Sequence, residues 1–117
     1  MDKENIIAEK SFEFAIRIVN LYKFLTTEKK EYELSRQLLR SGTSIGANVA
    51  ESLKGQSRAD FNSKLNIALK EANETEYWIR LLYKTGYLND IEYESIWGDV
   101  NDIISILVAI IKKINNA

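Results

Sequence analysis

Two rows of polar side chains hold the chemistry this sequence could offer. Gln37, Arg40, Ser44, Asn48 and Glu51 recur at spacings of three and four. On a helix they stand one above another. Glu71 and Glu74 follow in a second row. Together with Glu51 these glutamates are the ligands an all-carboxylate metal site would need. Arg40 carries a donor fork suited to phosphate, and Ser44 and Asn48 add hydrogen bonds. Arg36, Lys54, Arg58 and Lys64 lie near enough in sequence to add positive charge. No aromatic side chain interleaves with the row, which argues against a platform for stacking single-stranded bases. The row is either a solvated outer face or a face for a ligand or partner.

Composition narrows the chemistry further. The chain of 117 residues has no histidine and no cysteine. Histidine is the commonest general acid or base, and histidine and cysteine are the usual nitrogen and sulfur ligands for metals. Without histidine, no serine here has the usual base, and the Glu-x-x-His pairs of a bundle di-metal site cannot be built. The stretch Ser41-Gly42-Thr43-Ser44-Ile45-Gly46 is rich in glycine and serine. It lacks the Gly-Lys-Ser/Thr ending and the strand-turn-helix setting of a phosphate loop. The expectation is a non-enzymatic protein with no cofactor and no metal. A net charge of −1 gives no global attraction for nucleic acid or an anionic membrane. The longest apolar run, interrupted by Ser105, is far shorter than the roughly 20 residues of a membrane span. The segment from Met1 to Lys10 is charged and lacks the apolar core of a signal peptide, so a cytoplasmic location is expected.

The elements that position these residues are helices. There is no proline, and apolar residues recur at spacings of three and four. A first helix is expected over 10–26. It has two apolar stripes: Phe12, Ala15, Ile16, Val19 and Tyr22, and then Phe14, Ile18, Leu21 and Leu25. A second is expected over 31–54, with Leu34, Leu38, Leu39, Ile45, Val49 and Leu53 toward the core. Gly42 and Gly46 share that face, which points to close approach of another helix or to a local kink. A third runs from a cap at Ser57 to Lys84, with Phe61, Leu65, Ala68, Ala72, Ile79 and Leu82 inward. Ile67, Trp78 and Leu81 form a separate stripe on it. A capping box, Asn89-Asp90-Ile91-Glu92, opens the fourth helix. Its core stripe is Tyr93, Ile96, Val100, Ile103, Ile104, Leu107, Ile111 and Ile114. Four helices with short links predict one all-α domain over 1–117, an antiparallel up-down-up-down four-helix bundle.

The surplus apolar stripes predict self-association. A bundle helix needs only about a 100° apolar arc, and a larger patch left in water marks an interaction site. The sequence reading places Phe14, Ile18, Leu21, Ile67, Trp78 and Leu81 at a contact between copies.

The run from Gln37 to Glu51, Gln-Leu-Leu-Arg-Ser-Gly-Thr-Ser-Ile-Gly-Ala-Asn-Val-Ala-Glu, resembles the signature of the 23S rRNA-intervening sequence proteins. A second matching stretch takes in Asp60-Phe61, Lys64-Leu65, Ile67-Ala68, Lys70-Glu71-Ala72, Glu74-Thr75 and Tyr77-Trp78. The resemblance implies a bacterial four-helix bundle whose subunits form a ring-shaped homopentamer. The family's name reflects genes lying within insertions in 23S rRNA genes, which is a genomic position and not an activity. The accessory protein of diversity-generating retroelements is a similar bundle, and its basic pentameric barrel binds a reverse transcriptase and nucleic acid. This chain departs from it in being slightly acidic. Arg40, Ser44, Asn48 and Glu51 match the motif on the second helix, and Glu71, Glu74 and Thr75 on the third. They imply polar contacts between helices or subunits, or a binding face. The leading expectation is an oligomeric interaction module. The alternative is an RNA- or DNA-binding accessory protein using the basic and polar patch on the second helix, with Arg36 and Arg40 central to it.

Overall fold

A computed structural model describes residues 2–116. Met1 and Ala117, the ends of the expected domain, lie outside the described residues. Four helices follow one another: α1 (Lys3–Thr27), α2 (Glu33–Ser52), α3 (Arg58–Lys84) and α4 (Asp90–Asn115). Each packs on its neighbours in the order α1–α2–α3–α4 and back to α1, and among the described residues no diagonal pair of helix backbones approaches closely. Short links make each helix antiparallel to the next, so the up-down-up-down bundle expected from periodicity is the fold observed. The bundle measures 46 × 22 × 22 Å.

Local chemistry sets the helix ends. At α4 the Asn89 side chain accepts from the Glu92 amide and the Glu92 carboxylate accepts from the Asn89 amide, both at 2.8 Å. Ser57 caps α3 through the Asp60 amide at 3.1 Å. Gly86, with φ +90°, turns the chain after α3 in a conformation that costs glycine little.

Two ends differ from the sequence reading. Helix α1 begins almost two turns earlier than expected, because Asp2 caps it by accepting from the Asn5 amide at 3.0 Å. Helix α2 begins two residues later, because Tyr32 takes the N-cap position and Glu31, just before it, turns its carboxylate onto the amides of the first turn. The Glu31 carboxylate accepts from the amides of Glu33, Leu34 and Ser35 at 3.1, 3.0 and 2.7 Å. Burial would push this carboxyl up. The three amides outweigh that push and hold it below its ordinary value of 4.5. A depressed carboxyl stabilises the fold fully above its unfolded value and loses that contribution as pH falls through its folded value. Glu31→Ala is therefore expected to cost about 1–2 kcal/mol at neutral pH. Thermal unfolding should show the gap between variant and parent narrowing below about pH 4.5. A gap independent of pH would rule out the carboxylate as its source.

Packing against α2 decides which stripe of α1 is inside. Ile7, Ser11, Phe14, Ile18 and Leu25 lie in one row along the helix, all buried. Phe14 is 2% exposed and Ile18 0%, so these two residues are core and not contact residues between copies. Leu21 is half-buried and packs against the same core. Of the other stripe, Ala15, Val19 and Tyr22 are half-buried, while Phe12 is 66% exposed and Ile16 49%. On α2, Leu38, Ile45 and Val49 are buried as expected, while Leu53 lies past the helix end and is 46% exposed. Gly42 and Gly46 mark close approach. A Cβ on Gly42 would meet Ile18 at 2.8 Å, and one on Gly46 would meet the Ser11 carbonyl oxygen at 3.0 Å. The inward stripes of α3 and α4 are largely as expected, with Ile110 an added buried residue on α4.

Candidate interaction surfaces around α2

The two polar rows meet across the α2–α3 seam. Arg40 on α2 pairs with Glu71 at 3.5 Å and with Glu74, both on α3. The Trp78 indole N–H donates to Glu74 Oε1 at 3.3 Å. Burial pushes the Glu74 carboxyl up, but the Arg40 and Trp78 hydrogen bonds and the charges of Arg40 and Lys70 prevail, so it is held down. The hydrogen bond that Arg40 donates to Glu74, with smaller help from Glu71, raises Arg40 in turn. Beneath this cluster, the Thr75 hydroxyl lies 2.9 Å from Ser41 Oγ and 2.8 Å from the Glu71 carbonyl oxygen. Thr75 and Ser41 are both fully buried. Among the described residues no buried side-chain nitrogen or oxygen lacks a hydrogen-bond partner.

This arrangement gives most of the motif a fastening role between helices. The guanidinium of Arg40 is engaged by two carboxylates, with half of its side chain still exposed. Glu51 pairs with Lys64 at 3.0 Å, away from Glu71 and Glu74. Asn48 donates to the Ser44 carbonyl at 2.9 Å and lies 3.1 Å from its hydroxyl, within one helix. Arg36 is exposed and outside the cluster. Among the described residues no group of three or more metal-ligating side chains comes together.

Two apolar surfaces border α2, one on each side. Toward α1 an open groove of about 360 Å³ is lined by Ala8, Phe12, Gly46, Ala50, Leu53 and Lys54. Its floor is shallow because glycine and alanine supply it, and Phe12 and Leu53 form its walls. Toward α3 runs a ridge. Ile67, Trp78 and Leu81 share one strip with Glu71 and Glu74, at spacings of four and three, and those two glutamates reach over to Arg40. Ile67 is 38% exposed, while Trp78 and Leu81 are half-buried. Sequence reasoning found the ridge and missed the groove, because it closed the α1 stripe around the wrong row.

It also missed an ion pair on the far seam. Arg17 of α1 pairs with Asp99 of α4 and donates to Ser95 Oγ at 3.0 Å. No local pattern signals this contact, since the partners lie 82 positions apart.

A family model described as 23S rRNA-intervening sequence protein matches residues 3–109. Among solved structures, the chain is similar to a protein of unknown function from the S23 ribosomal protein family of Bacteroides thetaiotaomicron VPI-5482. The two share 60% sequence identity with a TM-score of 0.93, over 95% of this chain and 99% of that one. No curated protein matches significantly.

Proposed function

The chain belongs to the 23S rRNA-intervening sequence protein family, and on that premise we propose that it is a non-enzymatic, homo-oligomeric scaffold of the bacterial cytoplasm, assembled as a pentamer. The observation that carries this reading is the exposed apolar surface flanking α2: Phe12 66%, Ile16 49%, Leu53 46% and Ile67 38% exposed. Burying one such side chain contributes on the order of 2–3 kcal/mol. Several per contact offset the cost of association and hold a stable ring. The polar motif of α2 and α3 supports the same reading, since Arg40, Glu71 and Glu74 brace one another and keep the flanking ridge in place.

Light scattering on the pure protein tests the proposal. The expected mass is about five times the 13.5 kDa of one chain. Phe12→Glu/Ile67→Glu is expected to give monomers with an unchanged helical circular dichroism spectrum. A monodisperse monomer of the parent protein at tens of micromolar would refute the proposal.

A further inference from the structure

Helices α1 and α4 close the bundle without a loop between them, and they pack least closely of the four neighbouring pairs. Clefts follow one another along their seam. Two of them, of about 260 and 300 Å³, share Arg17. The largest of the three, about 570 Å³, lies at the end of the bundle where α1 and α3 begin and α4 finishes. That volume is in the range of small-molecule sites, about 300–1,000 Å³.

The end cleft differs from the other two in its chemistry. Its floor is hydrocarbon: Phe61 of α3 with Ile110 and Ile114 of α4. Ile110 is the buried residue of α4 that periodicity left out, and Phe61 and Ile114 are half-buried. None of the three carries a hydrogen-bonding side chain, so the floor has nothing to read a base or a sugar. Three exposed cations border it, one from each helix: Lys3, Arg58 and Lys113. Among the described residues none of them is in an ion pair. Two acids share the border, Asp2 and Glu4. The Asp2 carboxylate is turned to its own helix, where it accepts from the Asn5 amide at 3.0 Å. The border thus carries an excess of positive charge on a chain of net charge −1. The middle cleft of the seam has the opposite balance, with Lys10 and Arg17 against Glu13, Asp99 and Asp102. In the third cleft Arg17 and Glu92 balance.

An apolar floor with cations at its edge suits a molecule that is apolar along its length and negative at one end. We infer that the end cleft binds a single-chain amphiphile with an anionic head, of the class of fatty carboxylates and monoalkyl phosphates. The tail lies along Phe61, Ile110 and Ile114, and the head meets Lys3, Arg58 and Lys113. The inference goes beyond the self-association proposed above and stands without it.

The test uses four ten-carbon probes, decanoate, decyl phosphate, decanol and decylamine, each below its micelle concentration. They are titrated into the full chain labelled at its isoleucine δ-methyl groups. Decanoate or decyl phosphate is expected to shift the Ile110 and Ile114 methyl resonances saturably, and the tighter of the two identifies the head group. Decanol and decylamine are expected to bind about tenfold more weakly or less, because neither brings a negative charge to the cations. Arg58→Glu/Lys113→Gln should weaken the anionic probes by about tenfold or more. Both positions are exposed at helix ends, and thermal unfolding checks that the fold is kept. Lys3→Gln supplies the charge test if it is not. Lys23→Glu, toward the other end of α1, should leave binding unchanged. Equal affinity for decanol, or binding unaltered in both charge variants, would overturn the anionic head. Shifts at the exposed Ile16 or Ile67 in place of Ile110 and Ile114 would overturn the site. A protein that sediments with phosphatidylglycerol vesicles but takes up no free probe would replace the proposal with a membrane surface.

Discussion

Gly42→Val is expected to lower stability by about 3 kcal/mol. A Cβ at position 42 would lie 2.8 Å from both γ carbons of Ile18. Ile18 is fully buried and has nowhere to retreat. Relief must come by parting α1 from α2, which opens the core along both helices. The cause is separable from glycine's backbone freedom. Gly42→Ala/Ile18→Ala should cost less than the sum of the single changes, with a coupling of about 0.5–3 kcal/mol, because the second change removes the atoms the first would strike. Gly98, in the interior of α4, has nothing within 4 Å of its would-be Cβ. Gly98→Ala is therefore expected to stabilise by about 1 kcal/mol through helix propensity alone. Urea unfolding of Gly42→Val, Gly98→Ala, the two single alanine variants and their double checks all of this. Additive costs for Gly42→Ala and Ile18→Ala would show that close packing is not what fixes glycine at position 42.

Phe14→Ala carries the other large effect. Removing a buried phenylalanine from a packed interior costs about 3–5 kcal/mol, through lost burial and the cavity left behind. Phe14 is among the largest fully buried side chains of the molecule. The sequence reading had placed it at a contact between copies, and the two assignments separate cleanly in solution. A core residue lowers the unfolding free energy of the chain. A contact residue leaves the folded chain intact and shifts the assembly equilibrium with protein concentration. The expected outcome is loss of stability, whereas Phe12→Ala, one helical step away and 66% exposed, should change unfolding of the isolated chain little. A Phe14→Ala chain of parental stability would contradict the observed core.

The residues differ in how legible their roles were. The four helices could be read directly, since a run of three-and-four spacings without proline admits little else. The Asn89–Glu92 box and the Ser57 cap were legible because caps involve partners within a few residues. Glu31 was misread for the opposite reason. A glutamate before a helix has the same local pattern as one in its first turn, and only the tertiary path that buries it shows the carboxylate accepting three amides. The polar motif was found in sequence, but its meaning was not. Arg40, Ser44, Asn48 and Glu51 stand on one face, yet each has a different partner: Arg40 joins two glutamates on α3, Glu51 joins Lys64, and Ser44 and Asn48 bond each other.

The sequence by itself determined the class of fold, the number and order of helices, and the presence of more apolar surface than one bundle buries. These follow from periodicity and composition, which act within a helix or over the chain as a whole. Only the tertiary structure decided which stripe of α1 turns inward. Both stripes are apolar and both have helical spacing, so local free energy barely distinguishes them. The difference lies in what each meets across the seam. Ser11 and Ile18 fit against Gly46 and Gly42, where α2 carries no side chain, and Ile7 continues the row toward the bundle's end. Phe12 and Ile16 have no such fit within the chain and remain at the surface. Choosing between two faces of equal hydrophobicity is a matter of shape, and shape exists only once the helices are packed.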